Sequence, residues 1–263
     1  MSFRGDGKIA VVTGASSGIG QASAIELAKA GFQLAIGARR TEKLEETARE
    51  IERVSGMKPF VHPLDVTKLE SSEGFVSAVM SQLGGVHVLM NNAGLALGTT
   101  SVENASSETD WQTMMDTNVI GLLRMTRLMI PNLLASGGGH IVNLGSIAGR
   151  EAYAGGAGYC ASKFAVRAIT DALRQELLGK PIHITTIDPG MVETEFSVVR
   201  NYGDEGKAKD VYAGMQPLTA EDIADLVVFS VTRPWHVNID AIIVKPLAQA
   251  GAGKVARQAQ GGQ

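Results

Sequence analysis

Tyr159 and Lys163 are the residues of this chain whose types and spacing promise chemistry most directly. On a helix, side chains four apart share a face, so the phenol and the ammonium can enter one pocket. A free phenol ionises near pH ~10, and a fixed cation beside it favours the phenolate. A drop of two to three units, roughly 3 to 4 kcal/mol, would let Tyr159 give and take a proton near neutrality. Ser146 closes the apolar run 140–145, which reads as a buried strand. A hydroxyl at such a strand end faces the crevice where open α/β sheets bind ligands. Tyr-x-x-x-Lys alone recurs by chance on solvated helix faces, so its weight depends on the elements that position it.

Those elements start at residues 8–13, a short apolar run with β-branched side chains, the pattern of a strand covered on both faces. Gly14-Ala15-Ser16-Ser17-Gly18-Ile19-Gly20 follows, and 21–30 reads as a helix. Strand, glycine-rich turn and helix start in this order form a phosphate cradle, because glycines admit a close backbone approach and helix amides point at the anion. The spacing differs from G-x-G-x-x-G, and a glycine cluster can also be a plain turn. The next strand, 33–38, ends at Arg39 and Arg40, where a dinucleotide fold often carries an acid that holds ribose hydroxyls. Two guanidiniums there suit a 2′-phosphate and hence NADP rather than NAD. The alternative is that they only open the solvated helix that follows.

A helix over 41–55 and a strand over 58–64 lead to Asp65, which could cap a helix beginning near Thr67. A strand over 86–90 closes on Asn91-Asn92-Ala93-Gly94, whose amides and small side chains suit a flat ring or ribose. Residues 108–134 form a long amphipathic helix, expected to bend or break at Pro131. It contains Asn118, which in a helix is ordinarily exposed or packing filler. The alternation of strands and helices predicts an α/β doubly wound parallel sheet, a Rossmann fold, as a single domain over 1–263. At 263 residues, 44% hydrophobic and 19% charged, the chain can bury one sizeable core. A net charge of −3 offers no basic surface for nucleic acid or an anionic membrane, leaving a small molecule as the expected partner. The single cysteine, Cys160, excludes an internal disulfide and fits a reducing compartment. With no signal-like start and no membrane-length apolar run, the expected location is cytoplasmic.

Together these motifs resemble the short-chain dehydrogenase/reductase family from residue 8 to about residue 246. Thr13 with Gly14, Gly18 and Gly20 is similar to the family's cofactor turn, and 91–94 to its structural loop. Asn118, Ser146, Tyr159 and Lys163 match its catalytic tetrad, including the thirteen residues from serine to tyrosine. Pro189-Gly190, with Val192 and Thr194 after it, matches the segment that meets the nicotinamide carboxamide. The resemblance implies that Tyr159 exchanges the substrate proton, Ser146 orients the substrate oxygen, and Lys163 lowers the tyrosine pKa and holds the nicotinamide ribose. It further implies that backbone near Asn118 holds a relay water, that Asp65 touches the adenine, and that the enzyme is a homotetramer. Small residues at 154–158, Ala161, Ala165, Ala168 and Ala172 would permit the close helix contacts of such an assembly, or ordinary packing on the sheet.

A narrower resemblance, carried by 192–200, 203–208 and 217–224, is to the NADP-dependent 3-hydroxy acid dehydrogenases, which oxidise serine, allo-threonine and related acids. A broad carbonyl or 3-oxoacyl reductase is the rival enzyme reading. A regulator that senses NADPH without turnover is the rival outside enzymes, and the complete tetrad argues against it. The connection 191–216 is long and is expected to act as a lid over the site. A carboxylate substrate needs a cation, for which Arg200 and Arg150 are the candidates, Arg200 being preferred because it lies in the stretch similar to the 3-hydroxy acid subgroup. Either arginine could instead pin its own loop. The five histidines lack ligand spacing, so no metal site is expected. The tail 249–263, rich in Gly, Ala and Gln, lacks apolar periodicity and reads as disordered.

Overall fold

The computed structural model describes residues 5–258. In chain order the first half contains β1 (Ile9–Thr13), α1 (Gly18–Lys29), β2 (Gln33–Ala38), α2 (Thr41–Ser55), β3 (Phe60–Pro63), α3 (Leu69–Leu83) and β4 (Val88–Asn91). Next come α4 (Thr109–Met115), α5 (Leu122–Ala135), β5 (Gly139–Leu144), α6 (Ala157–Glu176) and β6 (Ile182–Pro189). The chain then forms α7 (Phe196–Arg200), α8 (Glu205–Asp210), α9 (Ala220–Val231), β7 (Ala241–Val244), β8 (Gln249–Gly251) and β9 (Lys254–Val255).

Seven parallel strands form one sheet in the order β3-β2-β1-β4-β5-β6-β7. Alternate residues of each inner strand feed opposite cores. Ala10 and Val12 of β1, with Leu34 and Ile36 of β2, pack with Leu27, Leu44 and Val227 from α1, α2 and α9. Val11 and Ala35 point the other way and meet Val79, Met125 and Leu173 from α3, α5 and α6. This two-sided burial explains the continuous apolar runs, and it makes the fold a doubly wound Rossmann type. The strand order reverses between β1 and β4, so a crevice opens beyond their C-terminal ends. Both α2 and α3 stop at left-handed glycines, Gly56 at φ 71° and Gly84 at φ 77°.

Three expectations need correction. The helix through 108–134 continues past Pro131, which lies inside α5. Its irregularity is instead a π-helical turn, Asp116–Gly121, between α4 and α5. The tail is not uniformly irregular: β8 and β9 pair antiparallel over Gln249–Val255. Residues 259–263 of that expectation lie outside the described residues. Finally, 191–216 is not a plain loop, because α7 and α8 lie within it.

Candidate active site

The end of β1 builds the first wall. Thr13 Oγ1 accepts the amides of Asn92 and Ala93, each at 3.0 Å, and donates to Met90 O at 3.3 Å. Asn92 Nδ2 returns two bonds, to Thr13 O at 2.9 Å and Gly14 O at 3.1 Å. The glycine turn and the 91–94 loop are therefore one hydrogen-bonded unit. Gly14 has φ 67°, and a Cβ on Gly20 would lie 2.3 Å from Asn92 Nδ2, so both positions require glycine. Gly20 thus holds the turn together from beneath, whereas Gly14, Ser16, Ser17, Gly18 and Ile19 line a cavity of about 760 Å³. The Ser17 side chain leaves the α1 N-terminus uncapped, so the start of that helix, at the cavity wall, can meet an anion.

At the end of β2, Arg39 lines the same cavity and is exposed. Arg40 is held in place: Nη2 donates to Ser17 Oγ at 2.6 Å and Ser16 Oγ at 3.3 Å, and Nη1 to Glu195 Oε2 at 2.8 Å. Asp65 does not cap α3, whose N-cap is Lys68. Its Oδ1 accepts the Thr67 amide at 3.0 Å and hydroxyl at 2.7 Å, in an Asx turn at the cavity wall. Burial pushes the Asp65 pKa up, but the Thr67 bonds and the charges of Arg39 and Lys68 outweigh it and hold the carboxyl below its usual range. Asn92, Ala93 and Gly94 line the cavity where this half meets the next.

The second half gathers around α6. Tyr159 and Lys163 lie on its buried face and Ser146 follows β5, all three lining the cavity. Ser146 Oγ accepts the Ala148 amide at 3.1 Å, and its hydroxyl favours ionisation of the Tyr159 phenol. Lys163 Nζ donates to Leu144 O at 2.8 Å and lies 6.0 Å from the centre of the Tyr159 ring. Burial lowers the Lys163 pKa to about 8, against the opposing charge of Asp188. The Tyr159 phenol departs from the expected direction: burial pushes its pKa up, outweighing the Ser146 hydrogen bond and the Arg200 charge that pull it down. Sequence spacing showed the neighbouring cation but not the desolvation of the pocket.

Asn118 does not line the cavity; it stands behind it, in the π-helical turn, and is 2% exposed. Its Oδ1 accepts the Leu95 amide at 2.8 Å, while Nδ2 donates to Leu95 O at 2.8 Å and Ser162 Oγ at 3.0 Å. The amide thereby ties the strand-end loop after β4 to α6.

The remaining wall comes from 189–216. Pro189, Gly190, Val192 and Thr194 line the cavity, and a Cβ on Gly18 would come within 3.3 Å of Thr194. Leu218 N donates to Met191 O at 3.0 Å and Glu193 N to Leu218 O at 2.9 Å, closing the base of the segment. The two candidate substrate arginines separate. Arg150 Nε donates to the buried carboxylate of Asp188 at 2.6 Å, so this guanidinium pins the end of β6 and is not part of the cavity wall. Arg200 lines the cavity, its guanidinium carbon 5.8 Å from the Tyr159 ring centre and 5.5 Å from that of Tyr153.

Three residues that sequence reasoning passed over contribute. Tyr153 stacks beneath Arg200. Buried Gln249 accepts the Met191 amide through Oε1 at 2.8 Å, filling the space a Gly190 side chain would need. Glu195 pairs with Arg40 and with Lys43. Only Glu195 carried a sequence signal, an acid beside the residue expected to meet the cofactor; a glutamine in an Ala/Gly/Gln tail carried none.

The family model described as short chain dehydrogenase matches residues 8–204. An NADP-dependent 3-hydroxy acid dehydrogenase of Schizosaccharomyces pombe is 45% identical over 254 residues, covering 96% of this chain and 98% of that protein. A serine 3-dehydrogenase of Agrobacterium fabrum is 38% identical, covering 92% of this chain and 95% of the relative. A solved structure of serine dehydrogenase in its closed form, complexed with NADP+, superposes with a TM-score of 0.87 at 39% identity, covering 95% of this chain and all of that one (100%).

Proposed function

The chain belongs to the short-chain dehydrogenase family, and on that premise we propose that it transfers a hydride between NADP(H) and the hydroxyl or keto group of a 3-hydroxy acid, such as serine, allo-threonine or a 3-hydroxybutyrate-like acid. The observation that carries this reading is one cavity lined by the proton-exchanging Tyr159, by Ser146, and by a guanidinium, Arg200, over the same tyrosine ring. A 3-hydroxy acid has this shape, with a carboxylate a few ångströms from the reacting alcohol.

The residues present fit the cofactor. The turn at α1 offers backbone amides and Ser16 and Ser17, the end of β2 offers Arg39 and Arg40 for a 2′-phosphate, and Asp65 flanks the adenine end. Asn92 to Gly94, the 189–194 segment with Val192 and Thr194, and Lys163 also line the cavity, which supports a nicotinamide half with Lys163 holding the ribose. NADP(H), when bound, supplies the hydride acceptor or donor. Tyr159 Oη takes the hydroxyl proton in oxidation and returns it in reduction. Ser146 Oγ orients the substrate oxygen, and Arg200 accepts the carboxylate. The π-turn at Asn118 interrupts the helical ladder and frees backbone acceptors for a water that links Lys163 to solvent. The segment 191–216 serves as the lid. No helix among the described residues is long and apolar enough to cross a membrane, and we place the enzyme in the cytoplasm as a homotetramer, which light scattering on the purified protein tests.

The test is Tyr159→Phe, which keeps the ring and removes the transferable proton. NADPH binding should persist while oxidation of serine or 3-hydroxybutyrate, followed at the NADPH absorbance, falls by at least about 100-fold. Parent-like turnover in the variant would overturn the role of Tyr159. A parent enzyme active on uncharged ketones but not on 3-hydroxy acids would replace the substrate reading with that of a general carbonyl reductase.

A further inference from the structure

Glu195 is the first lid residue beyond Thr194, yet its side chain leaves the substrate pocket and crosses to the opposite rim of the cleft. There Oε2 accepts Arg40 Nη1 at 2.8 Å, and Oε1 accepts Lys43 Nζ from the first turn of α2. Arg40 is simultaneously bonded to Ser17 and Ser16 in the glycine turn. One carboxylate therefore joins three separate pieces: the lid, the start of α2 and the pyrophosphate turn.

We propose that Glu195 is a positioning residue that latches the lid across the cleft by drawing on Arg40, one of the two arginines offered to the 2′-phosphate, and on Lys43 behind it, so that lid closure and 2′-phosphate affinity trade against each other. The proposal rests on the NADP(H) reading above.

The charge count gives the direction. Arg39, Arg40 and Lys43 contribute three positive charges at this rim, and Glu195 removes one. A 2′-phosphate is close to a dianion, so it meets a cluster already partly neutralised, and two anions converge on Arg40. Removing the Glu195 charge strengthens the field on a phosphate whatever its exact placement, and leaves a cofactor without that phosphate nearly unaffected. The same removal frees the start of the lid. Isolated surface pairs contribute little, but here one carboxylate takes two cations, one of them fixed by the turn serines. Neighbouring Lys43 holds the carboxyl pKa of Glu195 down to about 2, with burial opposing and Arg40 assisting, so the latch is charged throughout the neutral range.

Two variants separate the two sides of the trade. Glu195→Gln keeps length and removes charge; Lys43→Gln removes one anchor from the other side. Each is compared with the parent in two assays at low salt without substrate: equilibrium binding of NADPH and of NADH by nicotinamide fluorescence, and hydrogen exchange of peptides spanning 191–216. Glu195→Gln should tighten NADPH about three- to tenfold, change NADH less than about twofold, and speed lid exchange about threefold or more. Lys43→Gln should speed lid exchange in the same way while weakening NADPH. Opposite signs in NADPH affinity with one sign in lid exchange are the signature of the trade. Unchanged lid exchange in both variants overturns the latch, and NADPH weakened or unchanged in Glu195→Gln overturns the competition. Equal affinity of the parent for NADPH and NADH, measured before any variant, overturns the NADP reading and the trade with it; faster lid exchange in both variants marks that failure as one of the cofactor reading rather than of the contact.

Discussion

Replacing Arg200 by methionine tests the substrate assignment most sharply, because the variant keeps an apolar stem over Tyr153 and Tyr159 and removes only the charge and its donors. A charge-assisted hydrogen bond to a carboxylate contributes about 1.5 to 3 kcal/mol. At a factor of ten per ~1.36 kcal/mol, the loss in kcat/KM on serine or 3-hydroxybutyrate is roughly 10- to 150-fold. An uncharged alcohol or ketone of similar size forfeits no such bond, so its loss should stay within about threefold. Arg200 also pulls the Tyr159 pKa down, so the limb of the pH profile that belongs to Tyr159 should move upward with either substrate. The assay is initial rates at the NADPH absorbance, with both substrates, from about pH 6 to 10. Equal losses on charged and uncharged substrates would refute the reasoning. Arg200 would then act through its bond to Gly98 O, at 3.3 Å, holding the loop before α4 in place.

The double variant Arg39→Ala/Arg40→Ala should weaken NADPH binding by at least about tenfold and leave NADH within about threefold; equal weakening would make both arginines structural. Lys163→Met should abolish turnover yet be no less stable than the parent at pH 7, because it removes a buried charge. Since the folded pKa of Lys163 is about 8 against 10.5 unfolded, the unfolded chain binds more protons between those values, so parent stability rises with pH across that window. Melting temperatures of the two proteins should therefore converge between pH 7 and 10, and a gap that widens contradicts a buried, depressed lysine. Gln249→Ala leaves the Met191 amide without its acceptor and should cost about 1 to 3 kcal/mol, read as a fall of several degrees in Tm; an unchanged Tm would show that this amide finds another partner.

Much of the fold was legible because the signals were local and independent. The strand 33–38 and the helix 41–55 coincide with β2 and α2, since an apolar run between turn signals and an amphipathic run ending at Gly56 leave little choice of boundary. The glycine turn could be read from residue types, but the reason for Gly20 could not: Asn92 reaches it from 72 positions away in sequence. The irregularity at Asn118 was misplaced to Pro131 because proline is the strongest helix breaker in this stretch, whereas Gly121, at the end of the π-turn, is a weaker signal. The bonds that bury Asn118 in the π-turn, to Leu95 and Ser162, come from distant segments, and no local pattern announces them. Arg200 was preferred over Arg150 only through the stretch it lies in, and the physical reason, that Arg150 is already paired with the buried Asp188 on β6, is visible in the structure alone. The tail failed for a similar reason: its hairpin is held by Gln249 and by the Ala252 amide donating to Glu151, both contacts to distant segments.

Burial gives the catalytic pair a different balance from the one that spacing alone suggests. It raises the phenol and lowers the amine, shifting each group towards its neutral form, although an amine near 8 still carries its proton at pH 7. A raised Tyr159 remains protonated at neutral pH, which suits the group that must deliver a proton when a ketone is reduced. Oxidation needs the phenolate, and the influences that favour it converge on one ring: the Ser146 hydrogen bond and the Arg200 charge. Lys163 has the complementary part. At its ordinary value of 10.5 it would hold its proton at neutrality, whereas near 8 it can release and regain one within the pH range of the reaction. The desolvation that works against phenolate formation is thus the same effect that brings the Lys163 pKa near the pH of the reaction, which is what the proposed relay requires of it.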